Sequence, residues 1–561
     1  MSEFFQDGPV LGNQYDEDRV LRSYVRWKLP PDVANEIVPG LRRLGERAAT
    51  DILALGNAAE ASPPRHIPYD PWGRRIDRIE VSDAWKRLER IAAEEGIVAT
   101  AYERRHGPWS RVHQFARLHL YGPSSATYTC PLAMTDGAAR VIQLYGDDWL
   151  KRQVLPRLIT RNPEDLWTSG QWMTERTGGS DVRGTSTVAR PEAGQYRLYG
   201  TKWFTSATTS QIAMTLARIG DVPDARTPLS LFYLELRDQS GDMRNIRVHR
   251  LKDKLGTHAL PTAELTLEGT PARLIGGEGH GVRKIAALFN ITRAYNAGGA
   301  VGGMRRGIAL ARDYARRRRA FGKLLIDLPA HRETLAALQV EYEAAFHLTF
   351  HTAELMGKEE LGVATEDERA VLRLLTPIVK LYTARQAIAS ASEVIEAFGG
   401  AGYIEDTGIP RHLRDAQVLS IWEGTTNVLS LDVLRAIDKD EAFPLFVNDL
   451  RERLEAIRSP LLRDLVQRVR TAAVRIEAHL QKAHTDTSDY REAGARAFAY
   501  GLARSYTASL LLEHADWQLE HENDNRGVGV LQRWCASELA PLVDPDPTHR
   551  EVSERLAADE R

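Results

Sequence analysis

Met173-Thr174-Glu175-Arg176-Thr177-Gly178-Gly179-Ser180-Asp181, preceded by Trp172 and followed by Val182, stands where the chain changes period. Before it, from about Asp16 to Leu155, apolar residues recur at three- and four-residue spacing, as in Val33 to Leu55 and Ala84 to Val98, which predicts helices. After it the period is two. Tyr196-Arg197-Leu198-Tyr199, Leu229-Ser230-Leu231-Phe232-Tyr233-Leu234-Glu235-Leu236 and Ala263-Glu264-Leu265-Thr266-Leu267 alternate between Gly, Pro and Asp turns, as strands do. Beyond Gly276-Gly277-Glu278-Gly279-His280-Gly281 the helical period returns in long stretches: Val282 to Arg318, Ala330 to Lys358, Glu366 to Ala397 and Thr426 to Ile437. Residues from about 441 onward continue as helices, with a polar break near Thr485 to Tyr490 and an acidic, Pro-rich stretch near Pro541 to Pro547. The expected layout is α+β: an N-terminal helical domain over 1–165, a central β-sandwich or barrel over 166–275, a C-terminal helical bundle over 276–440 and an appended helical region over 441–561. Inside the first block, Ser62-Pro63-Pro64 through Arg75 reads as an irregular loop, because Pro, Gly and charge crowd it.

Bulk properties narrow the function classes. A chain of 561 residues is too long for one ordinary core. With 43% hydrophobic and 27% charged residues and a formal net charge of −2, it carries no general attraction for nucleic acid or anionic lipid. Two distant cysteines, Cys130 and Cys535, give neither a disulfide framework nor a thiolate zinc site and fit a reducing compartment. Met1 to Val10 is acidic, without a signal core or an Arg-rich transit pattern, and Asp559-Glu560-Arg561 is not a peroxisomal address, so a cytoplasmic location is expected. No uncharged run approaches the roughly 20 residues that span a bilayer, so no membrane partner is expected.

Five segments hold chemistry-bearing residues, and each has a plain alternative. The Met173–Asp181 glycines and hydroxyls suit the edge of a planar heterocycle and a phosphate, or a tight turn. Alternation over Gly200-Thr201-Lys202-Trp203-Phe204-Thr205-Ser206 puts Phe204 and Ser206 on one face, as beside a ring or in any half-buried sheet. Arg316-Arg317-Arg318-Arg319-Ala320-Phe321-Gly322 reads as a basic patch or as arginines at the negative pole of a helix. Phe398-Gly399-Gly400-Ala401-Gly402-Tyr403 allows close backbone approach, or stops a helix. Trp422-Glu423-Gly424-Thr425-Thr426-Asn427 is commonplace alone. His347 and His351 share a helix face but lack a third ligand at useful spacing, so no metal is expected.

In this order and at these separations, the segments resemble the acyl-CoA dehydrogenase family over roughly residues 90 to 437. The flavin segment stands as Met173 to Asp181, the Y-A-x-x-R-x-x-F-G helix end as Tyr314 to Gly322, the glycine loop as Phe398 to Tyr403, and the aromatic-Glu-Gly-Thr loop as Trp422 to Thr425. Pro63 to Asp77, Cys130-Pro131 with Met134-Thr135, Arg250 to Gly256, Ser420 to Glu423 and the extra C-terminal region are similar to the AidB-like branch. The resemblance implies FAD, an acyl-CoA substrate and fatty acid metabolism, with Glu423 as base and Arg293 holding its loop. Thr292, before Arg293, stands where some members carry the carboxylate instead. It further implies that Met173, Thr174, Gly179 and Ser180 contact the flavin, Phe204 and Ser206 its other flank, and Thr425 and Asn427 its adenosine side, with Gly399 and Gly400 also at the cofactor. Arg318 and Phe321 correspond to residues that reach the FAD of a neighbouring subunit, which implies a homodimer or homotetramer; an electron-transfer partner stays open. Departures are Phe204 for Trp, Asn427 for Gln, Asn290 for Asp, Pro329 for Gln and Trp422 for Tyr. Two alternative readings are DNA binding and acyl-CoA sequestration with little turnover. Against DNA, residues 441–561 hold 16 Lys and Arg and 21 Asp and Glu.

Overall fold

The computed structural model of the chain describes residues 7–484 and 486–559. Residues 1–6 of the acidic opening, Thr485 of the polar break and Glu560-Arg561 lie outside the described residues.

The N-terminal part packs α1 (Arg19–Lys28), α2 (Pro31–Ala49), α3 (Asp51–Glu60), α4 (Asp83–Glu94), α5 (Ala99–Glu103), α6 (Trp109–Tyr121), α7 (Thr129–Tyr145) and the short α8 (Leu155–Leu158). The Val33–Leu55 period is two helices rather than one, divided at Thr50, whose φ of −121° and ψ of −98° are non-helical. The stretch expected to be an irregular loop is a hairpin, β1 (Arg65–Tyr69) and β2 (Arg75–Glu80), paired antiparallel. Its prolines hide an ordinary turn: Asp70 Oδ1 accepts from the N–H groups of Trp72 and Arg74, both at 2.9 Å, and Gly73 takes φ +84°. Asp77, buried at the base of the hairpin, accepts from the Val248 N–H at 3.1 Å and ties it to the β domain.

The β domain comprises β3 (Ser169–Gln171), β4 (Val188–Glu192), β5 (Gln195–Ser206), β6 (Ile212–Ile219), β7 (Leu229–Glu235), β8 (Ile246–Leu251) and β9 (Thr262–Ile275). Strands β6, β4, β5, β9 and β7 pair in that order and β7 pairs back with β6, so these five strands close on themselves. Strands β3 and β8 join at β6 and β9. Ala213, Ala217, Leu198, Phe232, Leu234, Leu265 and Leu267 fill the interior.

Helices α9 (Gly281–Arg317), α10 (Pro329–Glu360), α11 (Glu366–Ala397), α12 (Ile409–Leu419) and α13 (Thr426–Asp440) form the bundle, with a small ribbon, β10 (Arg319–Ala320) and β11 (Lys323–Leu324), after α9. α14 (Ala442–Glu455), α15 (Arg463–His484), α16 (Ser488–His521), α17 (Arg526–Ala536) and α18 (Pro547–Ala557) follow. One core joins the N-terminal helices to α9 and α10; a second joins α10, α11 and α13 to α14–α17. Among the described residues no helix is long and apolar enough to cross a membrane.

Candidate active site

The connection between α12 and α13 lies against the middle of α9. Glu423 and Gly424 there take φ of +57° and +99°. Left-handed backbone disfavours a residue with a long side chain by about 1–3 kcal/mol, so surrounding contacts must hold the turn. They come from α9, α11 and α13. Thr425 caps α13 and its side chain accepts from the Val428 N–H. Arg293 of α9 donates to the Glu423 carbonyl at 3.4 Å and to Asp432 of α13 at 2.8 Å. Lys380 of α11 donates to the Gly424 carbonyl at 2.5 Å. The Trp422 indole donates to Asn296 Oδ1, and Asn296 Nδ2 donates to the Leu419 carbonyl at 3.2 Å. Thr292, Arg293 and Asn296 span just over one turn of α9, with Thr292 and Asn296 on one face, so this one helix supplies three of the residues that hold the loop.

The Glu423 carboxylate is held at both oxygens. Thr292 Oγ1 donates to Oε2 at 2.5 Å, and the Gln171 amide of β3 donates to Oε1. Burial pushes this carboxyl up from its ordinary range; the Thr292 bond, Arg293, Lys380 and Gln171 pull it back only in part. A carboxylate in that balance is a stronger proton acceptor than one in water. No hydrogen bond within the described residues engages the Glu423 backbone N–H, which leaves a donor beside the carboxylate.

Glu423 opens onto a cavity of about 1520 Å³ between the β domain and the two helical blocks. Of the residues singled out in the sequence, Met173, Thr174, Gly179, Ser180, Phe204, Ser206, Arg293, Glu423 and Thr425 line it. Arg318, Phe321, Gly399, Gly400 and Asn427 lie outside it; Phe321 is 94% exposed in a left-handed turn. Gly179 is required locally, because a Cβ there would come within 2.5 Å of Thr174 Oγ1. A bulge in β5, where Lys202 opposes Leu265 but Thr205 opposes Ala263, turns Phe204 outward toward the cavity while Lys202 stays fully buried. Lys252, paired with Glu264 at 2.5 Å, lies 4.8 Å from the Phe204 ring centre. Away from the β domain the cavity continues along α9 past Gly299, Ala300, Gly303 and Met304, facing Cys130 and Ala133 of α7. Burial raises the Cys130 thiol to about 12, which makes it an apolar wall rather than a nucleophile.

Sequence reasoning missed Gln171, Asn296 and Lys380. Asn296 was within reach, four residues after Thr292 on one helix face, and Lys380 stood out as a lone charge in Ile378-Val379-Lys380-Leu381. Gln171 gave no signal, since its role depends on strand β3 meeting a loop 252 residues away. His347 and His351 are buried in α10, and among the described residues no cluster of three or more potential metal ligands occurs.

Four family models match successive stretches of the chain: adaptive response protein AidB N-terminal domain at residues 10–164, acyl-CoA dehydrogenase middle domain at 170–270, acyl-CoA dehydrogenase C-terminal domain at 279–437, and acyl-CoA dehydrogenase 11 C-terminal domain-like at 441–561. Acyl-CoA dehydrogenase family member 11 of Caenorhabditis elegans is 42% identical over 559 residues, covering 96% of this chain and 90% of the relative. The putative acyl-CoA dehydrogenase AidB of Escherichia coli is 33% identical over 71% of this chain and 74% of its own length. The crystal structure of C. elegans ACDH-11 in complex with C11-CoA superposes with a TM-score of 0.94 at 39% identity, covering 100% of this chain and 97% of that one.

Proposed function

Because the chain belongs to the acyl-CoA dehydrogenase family, with AidB-like features, we propose that it is an FAD-dependent acyl-CoA dehydrogenase in which Glu423 removes the α-proton of a bound acyl thioester. The flavin, when bound, supplies the acceptor for the β-hydride. The residues present fit such a cofactor: Met173, Thr174, Ser180, Phe204 and Ser206 converge on one wall of the cavity, and Gly179 keeps the backbone there open to a close-approaching group. That C11-CoA occupies the C. elegans relative supports an acyl-CoA in this cavity.

The observation that carries the reading is Glu423 itself, a carboxylate gripped at both oxygens on the cavity wall with its proton affinity raised by burial. An α-proton of a thioester is a weak acid, so the enolate charge that develops needs donors placed for it. The Glu423 backbone N–H serves that need beside the carboxylate that takes the proton. Thr292 and Gln171 orient the carboxylate, and Arg293 fixes the loop from behind. The arm along α9, walled by Gly299, Ala300, Gly303 and Met304, takes the acyl chain. Arg318 and Phe321, outside the cavity of their own chain, contact the FAD site of a second copy in a homodimer or homotetramer.

Anaerobic addition of acyl-CoAs of graded length to the yellow holoprotein tests this. The flavin is expected to bleach, and Glu423→Gln to slow bleaching about a hundred- to ten-thousandfold. A variant that bleaches as fast as the parent would remove Glu423 from the mechanism. Tight acyl-CoA binding to the parent without bleaching would instead select the sequestering role.

A further inference from the structure

Beneath the Glu423 loop lies a lysine for which the steps above have no use. Lys380 is mid-helix in α11, is 0% exposed, and directs its ammonium at the Gly424 carbonyl. An ammonium carries three donors, and burying it among apolar neighbours with one strong acceptor is unfavourable unless opposite charge compensates. The charged groups acting on it are Glu423 from the loop and Arg293 from α9. Arg293 is itself committed to Asp432 of α13 and to the Glu423 carbonyl. Arg373, two turns earlier on α11, pairs with Asp432 at 3.1 Å and Asp440 at 2.8 Å. Glu423 is therefore the anion whose charge acts on Lys380, next in sequence to the carbonyl that the lysine bonds. Successive carbonyls of the loop, Glu423 and Gly424, are each drawn to a different cation, and both residues are in left-handed backbone.

We propose that Lys380 is a positioning residue for the base: its bond to the Gly424 carbonyl holds the Glu423-Gly424 turn, and its charge keeps the Glu423 carboxylate ionised inside the protein. The inference rests on Glu423 being the base. Burial drives Lys380 toward its neutral form, down to about 7, and drives Glu423 toward its own neutral form, so each charge depends on the other. Arg293 also lowers the Glu423 carboxyl, but its guanidinium is shared with Asp432, whereas Glu423 is, among the described residues, the one anion whose charge acts on Lys380.

The test reads the base directly, apart from turnover. In the purified holoenzyme, the protonated-carboxyl infrared band that disappears in Glu423→Gln is assigned to Glu423 and followed as pH rises. The titration is repeated in Lys380→Gln, whose amide keeps a donor but no charge, in Lys380→Met, for a core that does not accept the amide, and in Lys380→Arg. The uncharged variants are expected to titrate about one pH unit or more above the parent, and Lys380→Arg within a few tenths of it. At a fixed pH below the parent midpoint, bleaching by an acyl-CoA is expected to slow about tenfold in the uncharged variants, with rescue by arginine. A parent-like midpoint in Lys380→Gln or Lys380→Met overturns the proposal, and so does a shift in Lys380→Arg as large as theirs. If Glu423→Gln bleaches like the parent, the base assignment itself fails; if that variant is inert while the midpoints coincide, only the role of Lys380 does.

Discussion

Glu175 lies inside the Met173–Asp181 segment yet serves the fold rather than the cavity. It is 3% exposed and accepts from the Ser186 N–H and hydroxyl at 2.7 and 2.6 Å, from the Thr187 N–H and hydroxyl at 3.1 and 2.5 Å, and from Lys202 at 2.9 Å. Burial alone would raise its carboxyl; Lys202 and the four donors reverse that and hold it at about 2. The carboxylate therefore stabilises the fold above the ordinary carboxylate range, and this contribution is lost as pH falls through that range toward about 2. Lys202→Met leaves the carboxylate without its cation and is expected to cost about 3–5 kcal/mol in urea unfolding at neutral pH. The double variant Lys202→Met with Glu175→Gln should recover much of that loss. A single variant within 1 kcal/mol of the parent, roughly the value of an exposed pair, would show that the hydroxyls suffice.

At the scale of elements, α9 decides the site, because it carries Thr292, Arg293 and Asn296 against the loop and then lines the arm beyond it. Gly303 lies about 16 Å along the helix from Thr292, at about 1.5 Å per residue. Nothing lies within 4 Å of a Cβ built at Gly299 or Gly303, so side chains there would project into the cavity. Gly303→Leu is expected to slow bleaching by long-chain acyl-CoAs about tenfold or more while sparing short ones. Equal loss at every chain length would mean a damaged fold, and parent-like rates at every length would mean the chain does not enter this arm. The long helical periods and alternating strands were legible because each follows from one segment's own burial. The hairpin was not, since Pro63, Pro64, Pro68 and Pro71 mask its alternation and its anchor, Asp77 to Val248, crosses domains. Glu423 was singled out only through the resemblance that all five segments carry together, since its loop is commonplace alone, whereas Gln171 and Lys380 acquire meaning only when three elements meet.

In the whole molecule, residues 441–559 are less an appendage than the completion of the bundle. Leu348 and Leu355 of α10, Leu375 and Ile378 of α11, and Val433 of α13 share one core with Phe446 and Leu450 of α14, Leu502 and Tyr506 of α16, and Trp534 of α17. Polar ties cross the same boundary, Arg504 to the Tyr382 hydroxyl at 2.8 Å and Arg533 to Glu333 at 2.8 Å, and Ser23 of α1 bonds His514 at 2.9 Å. Burial of one large apolar side chain contributes about 1.5–3 kcal/mol, so exposing several exceeds the total stability of a typical domain, about 5–15 kcal/mol. A chain ending at Asp440 is therefore expected to aggregate or to be recovered without flavin, as read by soluble yield, size-exclusion and bound absorbance. The effect should reach the site as well. α11 presents Lys380 to the Glu423 loop and Tyr382 to Arg504 of α16, so removing α16 frees the helix that holds this loop. A truncated chain that stays soluble, keeps its flavin and melts with the parent would show that the bundle closes without residues 441–559.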